Sequence, residues 1–432
     1  MNPDSPTRLA RPEGTQRIAP SFFQRHWRWF VLGTLFLATF LNYLDRQTLS
    51  NAADPICAEF GLDNAQRGRL LATFIYTYAA AHLFIGPLVD RVKNFRLVFP
   101  IFVLGWSACN LLVGFARDYN TLLWLRAALG VFEAGNFPIC LLLIARIFPA
   151  KERVLANGIF YSGAVIATLI APKFVIYVAT MHHWRWAFFL TGGLGLLWLI
   201  PWLLVFRNPE QNAPGWTAAA IASTDGSDSA ALILRRPAFW GVVLVGMGII
   251  PGLYFMTQWL PSYLTQAWDV PYNQALGDRL VLISFCQDLG MWIGGAVVMS
   301  LVSRGWSLLG ARRIVIVVSY LCMMAMLGLT RAPSINVAVA VLCLYVFGLG
   351  AWLANQQAFK QDVARGRVGT VVGFVGFAET IVAAFLVDRI GTLTQESGGF
   401  GAVFFLFAGL FTFALVMVFI FMRERWLPQR QV

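Results

Sequence analysis

The chain predicts an all-α membrane protein of twelve transmembrane helices in two six-helix bundles with pseudo-two-fold symmetry, both termini cytoplasmic. Three observations carry the prediction. Hydrophobic residues make up 58% of the 432 and charged ones 12%, whereas soluble domains average about 25% charged. Apolar runs of about the twenty residues that cross a bilayer recur along the chain. A polar stretch rich in Ser, Ala, Asp, Pro and Gly, residues 208–236, divides those runs six and six.

Taken in order, a polar, Pro-rich and basic tail (1–26) precedes the first span and carries no cleavable signal pattern. Spans at 27–49, 68–92, 96–115, 121–147, 154–179 and 184–206 form the first bundle, 27–207. After the cytoplasmic linker 208–236, spans at 238–268, 275–302, 314–329, 337–359, 368–387 and 402–422 form the second, 237–422. A short tail, 423–432, closes the chain. The ninth span is the shortest. A weak internal repeat supports two halves: Gly86-Pro-Leu-Val-Asp90-Arg91 follows span two, and Ser303-Arg304-Gly305 with Arg312-Arg313 follows span eight.

The net charge of +12 has a use other than nucleic acid, since the basic residues flank the spans. Five Lys or Arg fall in the first tail or at the start of span one (Arg8, Arg11, Arg17, Arg25 and Arg28), and three in each of six further segments on the same side. The opposite loops hold Arg67, Arg69, Arg117, Arg185, Arg279 and Arg331 alone. Positive charge accumulates on the cytoplasmic side, so both termini are cytoplasmic. The six cysteines lie mostly inside apolar runs, without metal-ligand spacing, and read as small packing residues. No nucleotide loop, metal cluster or nucleophile–base set is present, so an enzyme is not expected and the chain needs no cofactor.

The charges inside the spans are the candidates for function, because an ionisable residue at depth costs about 2.5–3.5 kcal/mol on insertion scales. Asp45 and Arg46 lie roughly 6–9 Å below the outer end of span one. Span four runs inward, with Arg126 at roughly 9 Å and Glu133 at roughly 20 Å. Seven residues apart, these two face the same way. The expected arrangement is an outer cluster of Asp45, Arg46 and Arg126 with Glu133 a level below. The bland alternative is a structural Asp–Arg pair holding spans one and four together.

At these residues the sequence resembles a known family. Gly86-Pro-Leu-Val-Asp90-Arg91-Val-Lys-Asn-Phe-Arg96 is similar to the loop signature of the major facilitator superfamily, with Lys93 where a Gly is usual. Asn42-Tyr43-Leu44-Asp45-Arg46, Leu125-Arg126 with Gly130-Val-Phe-Glu133, Phe148-Pro149-Ala-Lys-Glu152-Arg153 and Trp259-Leu-Pro261-Ser-Tyr263-Leu264 resemble its anion:cation symporter branch. That branch includes bacterial hexuronate and galactonate transporters, vesicular glutamate transporters and sialin. The resemblance implies proton-coupled uptake of an organic anion by alternating access. It implies Asp45 and Glu133 as the proton-coupling acids, Arg46 and Arg126 as anion ligands, and Tyr43 and Tyr78 as substrate-facing. Ala164 and Gln356 stand where the galactonate transporter has Gln and Trp, which argues against galactonate itself.

The remaining polar positions complete the expected site. Tyr254, Gln258, Asn355 and Gln356 supply hydroxyl and amide groups for a polyol acid or, alternatively, helix–helix hydrogen bonds. Gly86, Asp90 and Arg91 read as a cytoplasmic gate latch or as a solvated loop. Glu379 and Asp288 lie near mid-span as second protonatable sites or substrate contacts, and His82 as a packing residue or a proton relay. The expected function is proton symport of a sugar acid, a hexuronate or aldonate, by a monomer in the inner membrane. The alternatives are a Na⁺-coupled or exchange carrier of another carboxylate, and a transport-inactive ligand sensor.

Overall fold

The computed structural model describes residues 22–92, 94–148, 150–206, 235–363 and 368–423. The linker predicted at 208–236, Lys93 of the loop signature and most of both tails lie outside the described residues. Every regular element among the described residues is helical. The first, α1 (Phe22–Asn51), overruns its predicted span at both ends. A short helix that hydropathy did not reveal follows, α2 (Ala53–Phe60). It stops at Gly61, whose φ of 61° is the left-handed cap that glycine adopts without strain. A capping box then starts α3 (Asn64–Asp90): Gln66 N donates to the Asp63 side chain (2.7 Å), and Asp63 N donates back to Gln66 Oε1 (3.1 Å).

After α4 (Phe95–Val113), the predicted fourth span is two helices, α5 (Tyr119–Glu133) and α6 (Asn136–Ile147). Next come α7 (Ala150–Met181), α8 (Trp184–Leu197) and α9 (Leu199–Val205). The predicted seventh span is likewise split, into α10 (Pro237–Gln258) and α11 (Leu260–Trp268), with Trp259 at the break. Pro261 has no N–H to continue the ladder there. The chain continues through α12 (Gln274–Ser303) and α13 (Leu308–Met324). A 3₁₀ turn at Ala325–Arg331 then lengthens the short ninth span. It ends with α14 (Ile335–Val363), α15 (Val368–Glu396) and α16 (Gly401–Phe421). Among the described residues, nine helical stretches are long and apolar enough to cross a membrane by length and composition. The helices α1, α3 and α15 are not among the nine, and α1 and α15 carry Asp45, Arg46 and Glu379.

Packing joins the chain before the undescribed segment 207–234 to the chain after it. Helix α3 lies along α15 and α7 along α12, while α1 packs on α7 and α12 on α14. Glycine permits the first of these contacts. A Cβ at Gly68 would strike the backbone oxygens of Val387 and Asp388, and one at Gly391 would strike that of Asn64. Four hydrogen-bonded pairs of described residues cross between the halves, all at the end of the molecule holding α2 and α11. Thr265 Oγ1 donates to Asp54 Oδ2 (2.6 Å) and Tyr272 Oη to the Asn51 carbonyl (2.7 Å). Asn64 and Gln266 exchange amide hydrogen bonds (3.2 and 3.0 Å), and Lys173 Nζ meets Asp278 Oδ1 at 2.7 Å.

Candidate functional site

Adjacent residues on a helix point about 100° apart, and this turn separates Asp45 from Arg46. Asp45 does not join the cluster expected of it. Asn110 Nδ2, from α4, donates to its Oδ1 (2.7 Å) and also to Thr191 Oγ1 of α8 (2.7 Å). The carboxylate is wholly buried inside the N-terminal half. Arg46 instead turns toward α5. Its Nε donates to Glu133 Oε2 (3.1 Å), Nη2 lies at ion-pair distance from the same oxygen (3.1 Å), and the side chain is only 12% exposed. The expected separation of levels between Arg46 and Glu133 therefore does not hold: side-chain length closes it. Glu133 is the last residue of α5, just before the Ala134–Gly135 break.

Aromatic rings enclose the cation. The Arg46 guanidinium carbon lies 4.5 Å from the Tyr78 ring centre, 4.8 Å from Tyr43 and 5.1 Å from Phe74. Phe74 is shared, since the Arg126 guanidinium lies 4.8 Å from the same ring. Arg126 is fully buried, yet none of its three guanidinium nitrogens meets an acceptor among the described residues. One cation–π contact contributes about 0.5–2 kcal/mol, whereas removing a charge from water costs several. The ring alone does not offset the burial of Arg126. From the C-terminal half, Tyr254 of α10 comes within electrostatic reach of Arg46, Tyr43 and Tyr78, and its hydroxyl is hydrogen-bonded to Thr380 of α15. The structure thus brings together Tyr43, Arg46, Tyr78, Arg126, Glu133 and Tyr254.

The other candidates make different contacts. His82 packs edge-on to Tyr78, ring centres 4.4 Å apart, with Nε2 unpartnered. Asn355 donates to the Ala351 carbonyl of its own helix (2.9 Å) and Gln356 to the Val242 carbonyl (2.9 Å). Gln258 is buried with its Oε1 unpartnered. Glu379 forms an ion pair with Lys360 at 2.5 Å, both side chains under 10% exposed. Lys360, counted in sequence among the flanking cytoplasmic charges, is in fact buried. Asp288 lines a separate cavity between α1, α7, α10 and α12. Arg91 is exposed at the end of α3, and the side chain of Asp90, like any packing around Gly86, lies outside what is described.

Four residues of this region escaped the sequence reading. Asn110 and Thr191 are single polar residues in apolar runs, and Phe74 is one apolar residue among many. Lys360 had the signal of a span-flanking charge.

A helical bundle of this kind, largely apolar enough to cross a membrane and with cations and acids buried in its interior, is the architecture of a membrane transport protein. Residues 35–387 match the Major Facilitator Superfamily as a whole. The chain belongs to that superfamily, in its anion:cation symporter branch, and is a multi-pass protein of the inner membrane. It is 27% identical over 390 residues to the D-galactonate transporter of Escherichia coli O6:H1, covering 86% of this chain and 90% of that one. It is 27% identical to the hexuronate transporter of Escherichia coli strain K12 (86% and 88%). Its identity to a probable galactarate/D-glucarate transporter of Bacillus subtilis is 27% (90% of each). Among solved structures, a bacterial homologue of the human lysosomal transporter Spinster, inward-facing and unoccupied, superposes with a TM-score of 0.72. That match covers 92% of this chain and 95% of the other at 20% identity. A D-xylose–proton symporter does so with 0.71 (93% and 98%, at 14% identity).

Proposed function

We propose that the protein is a proton-coupled symporter of a small organic anion, a sugar acid of the hexuronate or aldonate class, working as a monomer by alternating access. The observation that carries this reading is Arg126, a buried guanidinium beside the Arg46–Glu133 pair whose three nitrogens have no acceptor among the described residues. A carboxylate accepts two parallel hydrogen bonds from such a group. Relatives named for galactonate, hexuronate and galactarate transport support the substrate class. The twelve-span reading is supported by counting α5–α6, α8–α9, α10–α11 and α13 with its 3₁₀ turn as one span each. An even count and the positive-inside rule favour cytoplasmic termini, with the two six-helix bundles meeting through the linker. The end sealed by α2 and α11 is then the outer one, and the conformation is inward-facing.

In the proposed cycle the substrate carboxylate enters from outside and pairs with Arg126. Its hydroxyls meet Tyr43, Tyr78, Tyr254 and the amides of Gln258, Asn355 and Gln356. Protonation of Glu133 releases Arg46 from its ion pair, and protonation of Asp45 neutralises the second acid. With fewer uncompensated charges to bury, the halves close outside and open inside. Gly86, Asp90 and Arg91 act at the inner rim as a latch in the opposite state. Coupling requires that proton and substrate prefer the same state, since a ligand bound equally to both shifts neither.

The test is binding and counterflow by purified protein with a panel of uronates, aldonates and aldarates. Arg126→Ala is expected to weaken carboxylate binding by about 3 kcal/mol, the scale of a charged hydrogen bond, or roughly a hundredfold in Kd. Unchanged affinity would defeat the assignment. Glu133→Gln is expected to abolish proton-driven accumulation while retaining counterflow, and full accumulation in that variant would remove Glu133 from the coupling role.

A further inference from the structure

The cavity that contains Asp288 is separate from the arginine site. It has a volume of about 40 Å³ and lies between the two halves, near their sealed end. Seven polar side chains line it: Gln47, Asn51 and Thr168 from the N-terminal half, and Thr257, Ser284, Gln287 and Asp288 from the C-terminal half. Most of its hydrogen-bond donors are already spent. Gln47 Nε2 donates to Thr168 Oγ1 (2.9 Å), Asn51 Nδ2 to the Gln47 carbonyl (2.9 Å) and Thr168 Oγ1 to the Ala164 carbonyl (2.9 Å). Thr257 Oγ1 donates to the Tyr254 carbonyl (3.3 Å). The amide and hydroxyl oxygens are left facing a space that also holds a carboxylate. Asp288 Oδ2 is buried with no donor, and no basic side chain is paired with Asp288 among the described residues.

An oxygen lining of this kind favours a hard cation. Its single carboxylate balances one positive charge, whereas calcium sites gather six to eight oxygens with several carboxylates. The volume suits one small ion, since a water needs about 10–15 Å³ on the same measure. We propose that this cavity is a binding site for a monovalent alkali cation of the size of Na⁺, held by Asp288 with oxygens from both halves. Because Gln47, Asn51 and Thr168 face Thr257, Ser284 and Asp288 only while the halves meet at this end, the cation favours the state sealed there. The site neither uses nor needs the proton-coupling acids.

The experiment is equilibrium binding of radiolabelled Na⁺ to the purified full-length protein, with thermal unfolding followed in parallel. NaCl is titrated against choline chloride at constant ionic strength and pH, without substrate. Saturable Na⁺ binding and a Na⁺-specific rise in Tm are expected, with K⁺ weaker. Asp288→Asn and, separately, Ser284→Ala are expected to raise the half-saturating Na⁺ concentration about tenfold or more. Superimposed NaCl and choline chloride titrations would overturn the proposal, and so would an Asp288→Asn protein that binds Na⁺ as the parent does. If Asp288→Asn fails to fold, the Ser284→Ala titration decides by the same criterion. Since neither readout involves transport, failure here leaves proton coupling standing, and failure of proton coupling leaves this site standing.

Discussion

Lys360 and Glu379 illustrate what one buried pair is worth. Removing one partner strands a charge in a low-dielectric interior, at about 3–5 kcal/mol, whereas replacing both by apolar groups is often neutral. Glu379→Gln is therefore expected to lower the unfolding free energy by about 3 kcal/mol, while Lys360→Met with Glu379→Leu recovers most of it. Denaturation of the three proteins in detergent checks the ordering, and a double variant as unstable as the single would contradict it. The sequence made the acid conspicuous and hid the base. Glu379 stood alone in an apolar run, but Lys360 sat where any membrane helix keeps a flanking lysine, and its partner lies 19 residues away on another helix. Asp45 and Arg46 divided in the same way. Their presence was legible, but the partner of each depends on which neighbouring helix its face meets. Asn110 is an unremarked amide in an apolar run, and no local pattern ties it to Asp45 across 65 residues.

Among the elements, the sealed end is the feature whose energetics the sequence left open. Lys173 pairs with Asp278 across it. At 58% and 61% exposure such a pair contributes about 0–1 kcal/mol. Lys173→Gln is thus expected to change transport by less than about threefold. Backbone approach decides the seal instead, where Gly68 meets the Val387 and Asp388 carbonyls and Gly391 meets that of Asn64. A branched side chain at Gly68 must push α3 from α15, so Gly68→Val is expected to hold this end apart. A cysteine placed at Gln266 should then react faster with a membrane-impermeant thiol reagent than in the Gly68 parent, and an equal rate would refute the packing argument. Hydropathy located these helices but not their breaks. The Ala134–Gly135 and Trp259 interruptions lie within continuous apolar runs, because a bend between two apolar segments leaves composition unchanged. The short α2 was missed for the opposite reason, being too polar and too brief to read as a span.

At the scale of the whole molecule, the proposed coupling through the two buried acids predicts a ratio that can be measured. One pH unit across the membrane is worth about 1.4 kcal/mol per proton, a factor of ten in concentration. With the membrane potential clamped at zero, the logarithm of the accumulation ratio at equilibrium rises with the pH difference by one for each coupled proton. Lower pH outside drives uptake, and a protonophore abolishes it. If both Asp45 and Glu133 carry protons the slope is about two, and Asp45→Asn reduces it to about one while leaving accumulation possible. If Asp45 serves only to hold α1 against α4 and α8 through Asn110 and Thr191, the slope of that variant equals the parent's. Among the described residues the buried Asp45 side chain has no basic partner, since Arg46 is committed to Glu133 and neither Asn110 nor Thr191 carries charge. An ionised carboxylate in that position would lack a compensating cation among these neighbours, so the proposed coupling assigns a proton to balance it. The expected slope is therefore two, and a parent slope of one would assign Asp45 to structure and leave Glu133 as the sole coupling acid.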